Sequence, residues 1–270
     1  MARRTRLNNA DLEREWSSLS KDWYSIYHQW TPTSRAGYTE WIAQQIIQDF
    51  GNIHLEVAGL RQRSFCVSNH RGQADLETGI EQLTEKRLLR AMFNLSSIPS
   101  LGKARDYEIP LAKNQGARHG DIDLLCISSS SVFCVEAKGH VSSESILKAV
   151  LQAFTYTSLV ATLRDRFLQD YDLPQSSPLI PAVLTFSAAL SGRQLRTFSE
   201  WPNLVCLIRK FNANLRENRV ERIRFFVIEN DPAQLNKCLE TRQEPNGDTR
   251  VVFSSDFNLI VTEYAKELFQ

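Results

Sequence analysis

The sequence has no long apolar stretch. No apolar run approaches the roughly 20 residues that a membrane-spanning helix needs. The first six residues read MARRTR and lack the apolar segment of a signal peptide. We therefore expect a cytoplasmic protein that is not inserted in a membrane.

Cysteine is scarce and scattered. The sequence has no CxxC pair, and its five cysteines are Cys66, Cys126, Cys134, Cys206 and Cys238. An odd number of cysteines with apolar neighbours predicts reduced, buried thiols. The pattern argues against a disulfide framework and against a zinc site.

The sequence also lacks an excess of charge of either sign. Its net charge is +1 and its pI is about 7.7, so any affinity for nucleic acid must come from a local basic surface. The densest basic run comprises Arg209, Lys210, Arg216, Arg219, Arg222 and Arg224. These side chains either hold phosphates on the side of Gln152 or form a solvated face.

The content of 42% hydrophobic and 23% charged residues is ordinary for a globular protein, and 270 residues can form one large core or two smaller ones.

The most informative stretch lies between Gly120 and Gly139. Two β-prone segments flank the serines Ser128 to Ser131, which predicts a β-hairpin. Alternation along the second strand places Phe133 and Val135 on one face and Cys134, Glu136 and Lys138 on the other.

Folding the hairpin at its serines brings Asp123 alongside Glu136. Two carboxylates and the Lys138 ammonium then meet among apolar neighbours, where charges are costly unless they are paired or bind a metal ion. Carboxylate oxygens suit Mg²⁺, which keeps several waters and takes further ligands from substrate phosphate. A lysine beside the metal can position or deprotonate the attacking water. The residue types therefore predict phosphodiester hydrolysis.

Asp123 followed by Glu136-Ala137-Lys138 resembles the D...(D/E)xK core of the PD-(D/E)XK nuclease superfamily. The upstream segments YEIPL (residues 107–111) and GDIDLL (residues 120–125) strengthen the resemblance. It implies a restriction-endonuclease-like fold with Asp123 as the metal-binding aspartate and Asp121 as the second choice. The sequence lacks the proline that precedes the aspartate in the family's name.

Residues 143–159 show helical periodicity after the ExK strand. Gln152 and Tyr156 lie four residues apart and share a face of this helix. The pair resembles the QxxxY motif of the RecB-like branch, which borders the active site and helps to place DNA. The alternative is an ordinary amphipathic helix with a half-buried tyrosine.

A further helix is predicted over residues 75–93, capped by Asp75. The resemblance implies an additional metal-binding glutamate on this helix, and we favour Glu85 over Glu81 because it lies beside an apolar stripe. The alternative is a surface glutamate paired with Lys86 or Arg90.

Residues 1–70 contain four of the five tryptophans and predict helices over residues 11–27 and 34–50, followed by an extended piece over residues 53–68. We interpret them as a helical N-terminal accessory region and residues 71–270 as the nuclease-like domain. The tryptophans either stack on bases or anchor the core, and core anchoring is favoured because aromatic residues at helical spacing usually bury.

The remaining residues predict helices over residues 161–171 and 203–215, strands over residues 179–187 and 222–229, a polar turn at residues 192–196 and a final helix over residues 262–269. The fold class is therefore α/β, with a mixed central sheet flanked by helices. His119 and His140 flank the two strands of the hairpin and are interpreted as incidental surface residues.

Together these features predict a Mg²⁺-dependent nuclease, with Mn²⁺ as a substitute, that hydrolyses phosphodiester bonds of duplex or single-stranded DNA in restriction or phage defence. Asp123, Glu136 and Glu85 would bind metal, Lys138 would act on water, and Gln152 and Tyr156 would orient DNA. The alternatives are a catalytically inactive nuclease fold that binds nucleic acid, and an RNA-cutting relative. A homodimer and partner proteins of a defence system stay open.

Overall fold

A mixed six-stranded sheet forms the centre of the protein. The structure, a computed structural model, describes residues 9–31, 33–67, 83–113 and 119–264. The strand order is β1-β2-β3-β4-β5-β8, with β3, β4 and β5 parallel and the other neighbours antiparallel. The strands are β1 Lys103–Pro110, β2 Asp121–Ser128, β3 Ser131–Lys138, β4 Leu179–Phe186, β5 Arg224–Ile228 and β8 Val261–Tyr264; β6 Leu239–Gln243 and β7 Thr249–Phe253 form a separate hairpin.

Helices cover both faces of this sheet. The α-helices among the described residues are α1 Asn9–Ser17, α2 Trp23–Ser25, α3 Thr39–Asp49, α4 Glu85–Phe93, α5 Ile146–Thr162, α6 Arg164–Asp170, α7 Leu190–Arg196, α8 Pro202–Glu217 and α9 Pro232–Lys237. A π turn covers Ile26–Trp30, and 3-10 turns cover Thr33–Tyr38, Phe50–Asn52 and Phe198–Glu200. No single helix in these described ranges is long and apolar enough to cross a membrane.

The β2–β3 hairpin confirms the sequence prediction. Its register pairs Leu124 with Val135 and ends with Ser128 opposite Ser131 at the serine turn. Side chains alternate as expected: Phe133 and Val135 belong to the apolar cluster on one face of the sheet, and Cys134 belongs to the cluster on the other. The two clusters together fix which face each polar residue of the hairpin occupies.

Helix α5 lies on the face that carries Cys134 and is the central helix of the larger cluster. Two side chains accept hydrogen bonds from backbone N–H groups in its first turn. The Ser145 hydroxyl accepts from the Lys148 N–H, and the side-chain oxygen of Gln194 accepts from the Ile146 N–H at 2.8 Å. The helix predicted over residues 143–159 is confirmed, with both ends displaced by three residues. The chain bends by 91° between α5 and α6.

The N-terminal helices pack against the same face. Their apolar residues share one cluster with the sheet and with α5 and α8. Trp23 contacts Phe154 and Phe211 with ring centroids 5.1 and 5.4 Å apart, and Trp16 lies 5.2 Å from Trp30. Trp16, Trp23 and Trp30 are each at most 4% exposed, which supports the core-anchoring interpretation.

Three predicted elements are wrong in detail. The helix predicted over residues 11–27 is interrupted, because α1 ends at Ser17 and the chain restarts at Trp23 with Asp22 accepting from the Ser25 N–H. The turn predicted at residues 192–196 is helix α7, which buries Leu195. The final helix does not begin at residue 262, because Val261–Tyr264 pair with β5; residues 265–270 lie outside the described part.

Candidate active site

The end of the β2–β3 hairpin gathers the charged residues that the sequence singled out. Continuing the hairpin register by one pair beyond Leu124 and Val135 sets Asp123 opposite Glu136. The Ala137 N–H donates to Asp123 Oδ2 at 2.7 Å, which fixes that carboxylate beside the second strand. Lys138 follows on the same face as Glu136 and ends β3. The structure therefore brings Asp123, Glu136 and Lys138 together.

Lys138 is buried and makes three polar contacts. Its Nζ donates to Glu136 Oε1 at 2.7 Å and to Gln152 Oε1 at 3.0 Å, and it forms an ion pair with Glu144 Oε2 at 2.7 Å. An ammonium group has three N–H donors and no acceptor. All three donors are thus in use, and the amine has a fixed position.

Glu85 joins the site from the first residue of α4. The N–H of Gly139, immediately after β3, donates to Glu85 Oε2 at 2.7 Å. Lys86 and Arg90 contact Glu108 instead, with N to O distances of 3.0 and 3.5 Å. Between the two interpretations of Glu85, its position beside the hairpin end favours membership of the site.

The bounds predicted for this helix are wrong. Leu83 and Thr84 are not helical, and α4 begins at Glu85 with the Thr84 hydroxyl accepting from the Arg87 N–H at 3.2 Å. Threonine is a favourable N-cap residue, and its side chain marks the start of α4. Asp75 and Glu81 lie outside the described residues.

One oxygen of Glu136 stands out. Glu136 is 3% exposed, and its Oε2 has no hydrogen-bond partner among the residues that the structure describes. A buried carboxylate oxygen without a donor is costly unless a cation or water binds it. This oxygen is available to a ligand beside Asp123.

The site raises the pKa of Glu136, Asp123 and Glu85. Burial raises the pKa of Glu136 to about 7, although Lys138 opposes the shift. Burial, with the charges of Glu136 and Glu85, raises the pKa of Asp123 well above its usual value. The pKa of Glu85 is raised by burial, against the opposing effects of Lys138 and the Gly139 N–H. The cluster therefore has a surplus of negative charge that a cation would neutralise.

Lys138 remains an ammonium in this environment. Burial acts to lower its pKa, but the carboxylates of Glu136, Glu144 and Asp123 outweigh burial and raise it. Glu144 is itself held as a carboxylate: burial opposes ionisation, yet Lys138 and Lys148 lower its pKa. The amine is thus suited to hydrogen bonding and charge compensation rather than to taking up a proton.

The donor set of the site fits Mg²⁺. Within the described ranges, no group of three or more His, Cys, Asp or Glu side chains is arranged to hold a metal ion. Mg²⁺ is usually bound through one or two carboxylates, with waters and substrate phosphate completing the octahedron. Asp123 and the Glu136 oxygen that has no partner in the described part of the chain could supply these carboxylate ligands.

Gln152 and Tyr156 lie where the helical spacing predicts, on one face of α5. Gln152 contacts Lys138 through its oxygen and donates from Nε2 to the Tyr156 hydroxyl at 3.3 Å. Gly120 lies against that hydroxyl: it has φ +63°, and a Cβ built on it would come within 2.4 Å of the Tyr156 oxygen. The site therefore requires glycine at this position.

Asp121 is exposed and begins β2, where it pairs with Pro110 of β1. It lies two residues before Asp123 and therefore on the same face of the strand. Asp123 is the aspartate of the site because its carboxylate accepts from the Ala137 N–H and its backbone lies opposite Glu136.

Two contributors escaped the sequence reasoning. Glu144 lies in the loop after β3, just before Ser145, the residue that caps α5. No sequence motif includes it, and its ion pair with Lys138 was therefore not predicted. Tyr27 receives a hydrogen bond from the Tyr156 hydroxyl at 3.4 Å across 129 residues of sequence. No local pattern predicts such a distant contact.

Three expectations about flanking residues need correction. His119 is buried, 2% exposed, with its Nε2 2.6 Å from the Ala58 carbonyl oxygen, so it is not a surface residue. His140 is half-buried, and its ring lies 5.7 Å from that of Phe186. Cys66 and Cys206 are exposed, whereas Cys126 and Cys134 are buried as expected; all five thiols are free.

The basic run does not gather beside Gln152. Val220 forms a bridge with Leu179, the first residue of β4, so Arg219 and Arg222 flank the start of that strand. Lys138 ends β3, which is parallel to β4, and the two groups therefore lie at opposite ends of the sheet. Arg224 forms an ion pair with Glu263. These contacts favour the solvated-face interpretation.

Comparisons with known proteins add no identification. No family model, curated protein or solved structure matches the chain. The chemistry of the site has to be argued from its own residues.

Proposed function

We propose that the chain is a Mg²⁺-dependent nuclease that hydrolyses phosphodiester bonds of DNA, with the restriction-endonuclease-like fold of the PD-(D/E)XK superfamily. The observation that carries the proposal is the buried oxygen of Glu136 beside Asp123 that has no partner among the described residues, with the Lys138 ammonium fixed two residues further along the strand. A buried carboxylate oxygen without a donor costs free energy, and a bound metal ion would remove that cost.

Asp123 and Glu136 would hold the metal, and Glu85 would complete the acidic cluster from the start of α4. Mg²⁺ supplies charge neutralisation on the phosphate and a water of lowered pKa. The chain supplies the fixed geometry: the Ala137 N–H holds Asp123, and the Gly139 N–H holds Glu85. Both donors are backbone groups of the same strand end, so the two acids are positioned relative to β3.

Lys138 orients the attacking water and compensates charge on the phosphate. Because all three of its donors are occupied, one acceptor must give way when substrate binds. Glu144 is the best candidate, because its side chain is 27% exposed while that of Glu136 is 4% exposed. A substrate phosphate oxygen replaces the Glu144 carboxylate in this proposal, since both accept a charge-assisted hydrogen bond.

Gln152 contributes to substrate placement from α5, where it is half-buried beside Lys138. The hydroxyl of Tyr156 is enclosed by Gln152, Tyr27 and Gly120. We therefore propose that Tyr156 acts on DNA through Gln152 and not by direct contact. An endonuclease role in restriction or phage defence is the biological setting proposed by analogy with the superfamily.

The test is cleavage of supercoiled plasmid in parallel with Mg²⁺, Ca²⁺ and EDTA. We expect nicking with Mg²⁺ that EDTA abolishes, and loss of nicking in the Glu136→Gln and Lys138→Ala proteins. The control is Glu221→Gln, an exposed acid at the far end of the sheet. A Lys138→Ala protein that cleaves at the wild-type rate would contradict the role given to the lysine.

The same assay separates the alternatives. DNA binding that is insensitive to Mg²⁺, with no nicking, would favour a catalytically inactive binding module. Cleavage of RNA alone, in parallel reactions with single-stranded DNA, duplex DNA and RNA, would favour the RNA-cutting relative.

A further inference from the structure

We propose that Tyr27, in the N-terminal helical region, is a positioning residue for Lys138 and acts through Tyr156 and Gln152. The proposal deepens the nuclease function above and rests on it. It gives the N-terminal region a part in the site, in addition to its part in the hydrophobic core.

A continuous chain of hydrogen bonds joins the two regions. Tyr156 donates to the Tyr27 hydroxyl at 3.4 Å, Gln152 Nε2 donates to the Tyr156 hydroxyl at 3.3 Å, and Lys138 Nζ donates to Gln152 Oε1 at 3.0 Å. Lys138 then donates to Glu136 Oε1 at 2.7 Å. Tyr27 belongs to the π turn of the N-terminal region, Tyr156 and Gln152 belong to α5, and Lys138 and Glu136 belong to β3. The hydrogen bonds therefore connect the N-terminal region to the sheet through α5.

The direction of the donors follows from chemistry. An ammonium only donates, so the Gln152 side chain must present its oxygen to Lys138 and direct its NH₂ group toward Tyr156. The Tyr156 oxygen therefore accepts, and its own hydrogen needs an acceptor elsewhere. The Tyr27 oxygen is that acceptor.

Burial restricts the hydrogen-bond partners that the two tyrosine hydroxyls can reach. Tyr27 and Tyr156 are 3% and 5% exposed, and their rings meet edge to face with centroids 5.9 Å apart. Burial raises the pKa of both hydroxyls, so both stay protonated at neutral pH. Tyr27 lies in the π turn Ile26–Trp30, a rare conformation that often marks functional positions.

Removing the Tyr27 hydroxyl leaves the Tyr156 hydrogen without its acceptor. The remaining neighbour is Gln152, and a buried hydroxyl is costly without a partner. The Tyr156 hydrogen and the Lys138 ammonium then both need the Gln152 oxygen, because both groups donate. The contact between Gln152 and Lys138 is weakened, and the position of Lys138 before the reacting phosphate becomes less defined.

Tyr27→Phe tests this chain with little change in volume. In plasmid cleavage with Mg²⁺ we expect kcat to fall by about three- to tenfold, the size expected for one hydrogen bond, with KM within about twofold of wild type. The control is Tyr24→Phe, in the same segment, whose ring contacts that of Tyr27 at 5.3 Å. Equal kcat for wild type and Tyr27→Phe, or equal losses in the two variants, would overturn the positioning role.

A second measurement does not depend on cleavage. Urea unfolding of the metal-free protein is compared for wild type, Tyr27→Phe, Tyr156→Phe and the double variant. Because the two hydroxyls share one hydrogen bond, we expect the shift in unfolding midpoint caused by Tyr27→Phe to shrink at least about twofold when Tyr156 is already phenylalanine. Additive shifts would overturn the chain even in an active enzyme. An inactive wild type with coupled shifts would instead reject the nuclease proposal and retain the hydroxyl contact.

Discussion

Two buried carboxylates of the central sheet differ in how their oxygens are satisfied. Asp106 on β1 is 2% exposed, and its oxygens accept from the Tyr107 N–H at 2.8 Å, the Tyr171 hydroxyl at 2.7 Å and the Val67 N–H at 3.2 Å. Glu136 on β3 is 3% exposed, yet one of its oxygens has no partner in the described part of the chain. The first arrangement joins segments of the fold, while the second leaves an oxygen for a ligand.

The comparison shows how the surroundings of a structural acid differ from those of the acid that we propose as a metal ligand. Burial alone does not distinguish them, because both acids are almost fully enclosed. The donors around them do: neutral hydrogen-bond donors saturate Asp106, whereas Glu136 faces one ammonium and two further acids, Asp123 and Glu85. A substitution of Glu136 should therefore reduce cleavage, whereas a substitution of Asp106 should reduce the free energy of unfolding.

The largest expected effect is on activity at Glu136. Glu136→Gln keeps the side-chain volume and the oxygen that faces Lys138 but removes the charge that would hold the metal. We expect plasmid cleavage to fall at least about a thousandfold, because several kcal/mol of transition-state stabilisation is lost. Circular dichroism should stay close to wild type, and the unfolding midpoint should not fall at neutral pH, because glutamine lacks the buried charge of the wild type. Retained cleavage by a folded Glu136→Gln protein would show that the Glu136 carboxylate is not needed to bind the metal.

At Asp106 the expected effect is on stability. Asp106→Asn replaces an acceptor oxygen by an NH₂ group that faces donors, so we expect a loss of about 1–3 kcal/mol in the free energy of unfolding. Urea denaturation measures this loss. Tyr171→Phe is the matched milder change, since it removes one of the donors. Cleavage per folded molecule should be unchanged, and a specific loss of cleavage would mean that Asp106 serves the site as well.

The pH dependence of stability should report on the buried carboxyl group of Glu136. The pKa of Glu136 is raised from 4.5 in the unfolded chain to about 7 in the metal-free fold, so the folded state binds more protons between these values. Stability should therefore fall as pH rises from about 4.5 to 7, by up to the order of 3 kcal/mol from this group. Unfolding measured across that range should show a shallower fall for Glu136→Gln. Added Mg²⁺ should stabilise the wild type more at pH 8 than at pH 6.

The smallest expected effect is at Glu144. Glu144→Gln weakens the ion pair that holds Lys138 before substrate arrives, and we expect cleavage at subsaturating DNA to rise by about two- to fivefold. Initial rates over a range of DNA concentrations measure the change, with Glu221→Gln as the charge-matched control. A fall in rate with unchanged DNA affinity would show instead that Glu144 helps to position Lys138 during the reaction.

Local patterns were enough to place much of this site. The serine turn fixed the hairpin register, and strand alternation fixed the face of Glu136 and Lys138, so both could be predicted from a few residues. The spacing of Gln152 and Tyr156 likewise follows from helical geometry. The start of α4 at Glu85 was missed because the prediction placed the N-cap at Asp75 and overlooked Thr84, whose side chain caps the helix.

Long-range contacts were the part that local patterns could not supply. Tyr27 meets Tyr156 only because the N-terminal helices pack on α5, and Asp106 meets Tyr171 across 65 residues. The same reasoning explains the strand at Val261–Tyr264, whose pairing with β5 overrides the helical pattern of its sequence. In the basic run, Arg219 and Arg222 lie at the start of β4, at the end of the sheet away from Lys138. Their position follows from the parallel pairing of β3 with β4, which the sequence alone does not show.

The concentration of indole rings in the N-terminal helices gives the protein an internal optical reporter. Trp16, Trp23 and Trp30 are buried there, and Trp23 contacts Phe154 on the helix that carries Gln152. Tryptophan emission should therefore shift to longer wavelength when these helices separate from α5, while far-ultraviolet circular dichroism follows the overall secondary structure. Recording both signals during one denaturation would reveal whether this packing and the secondary structure are lost in one cooperative step.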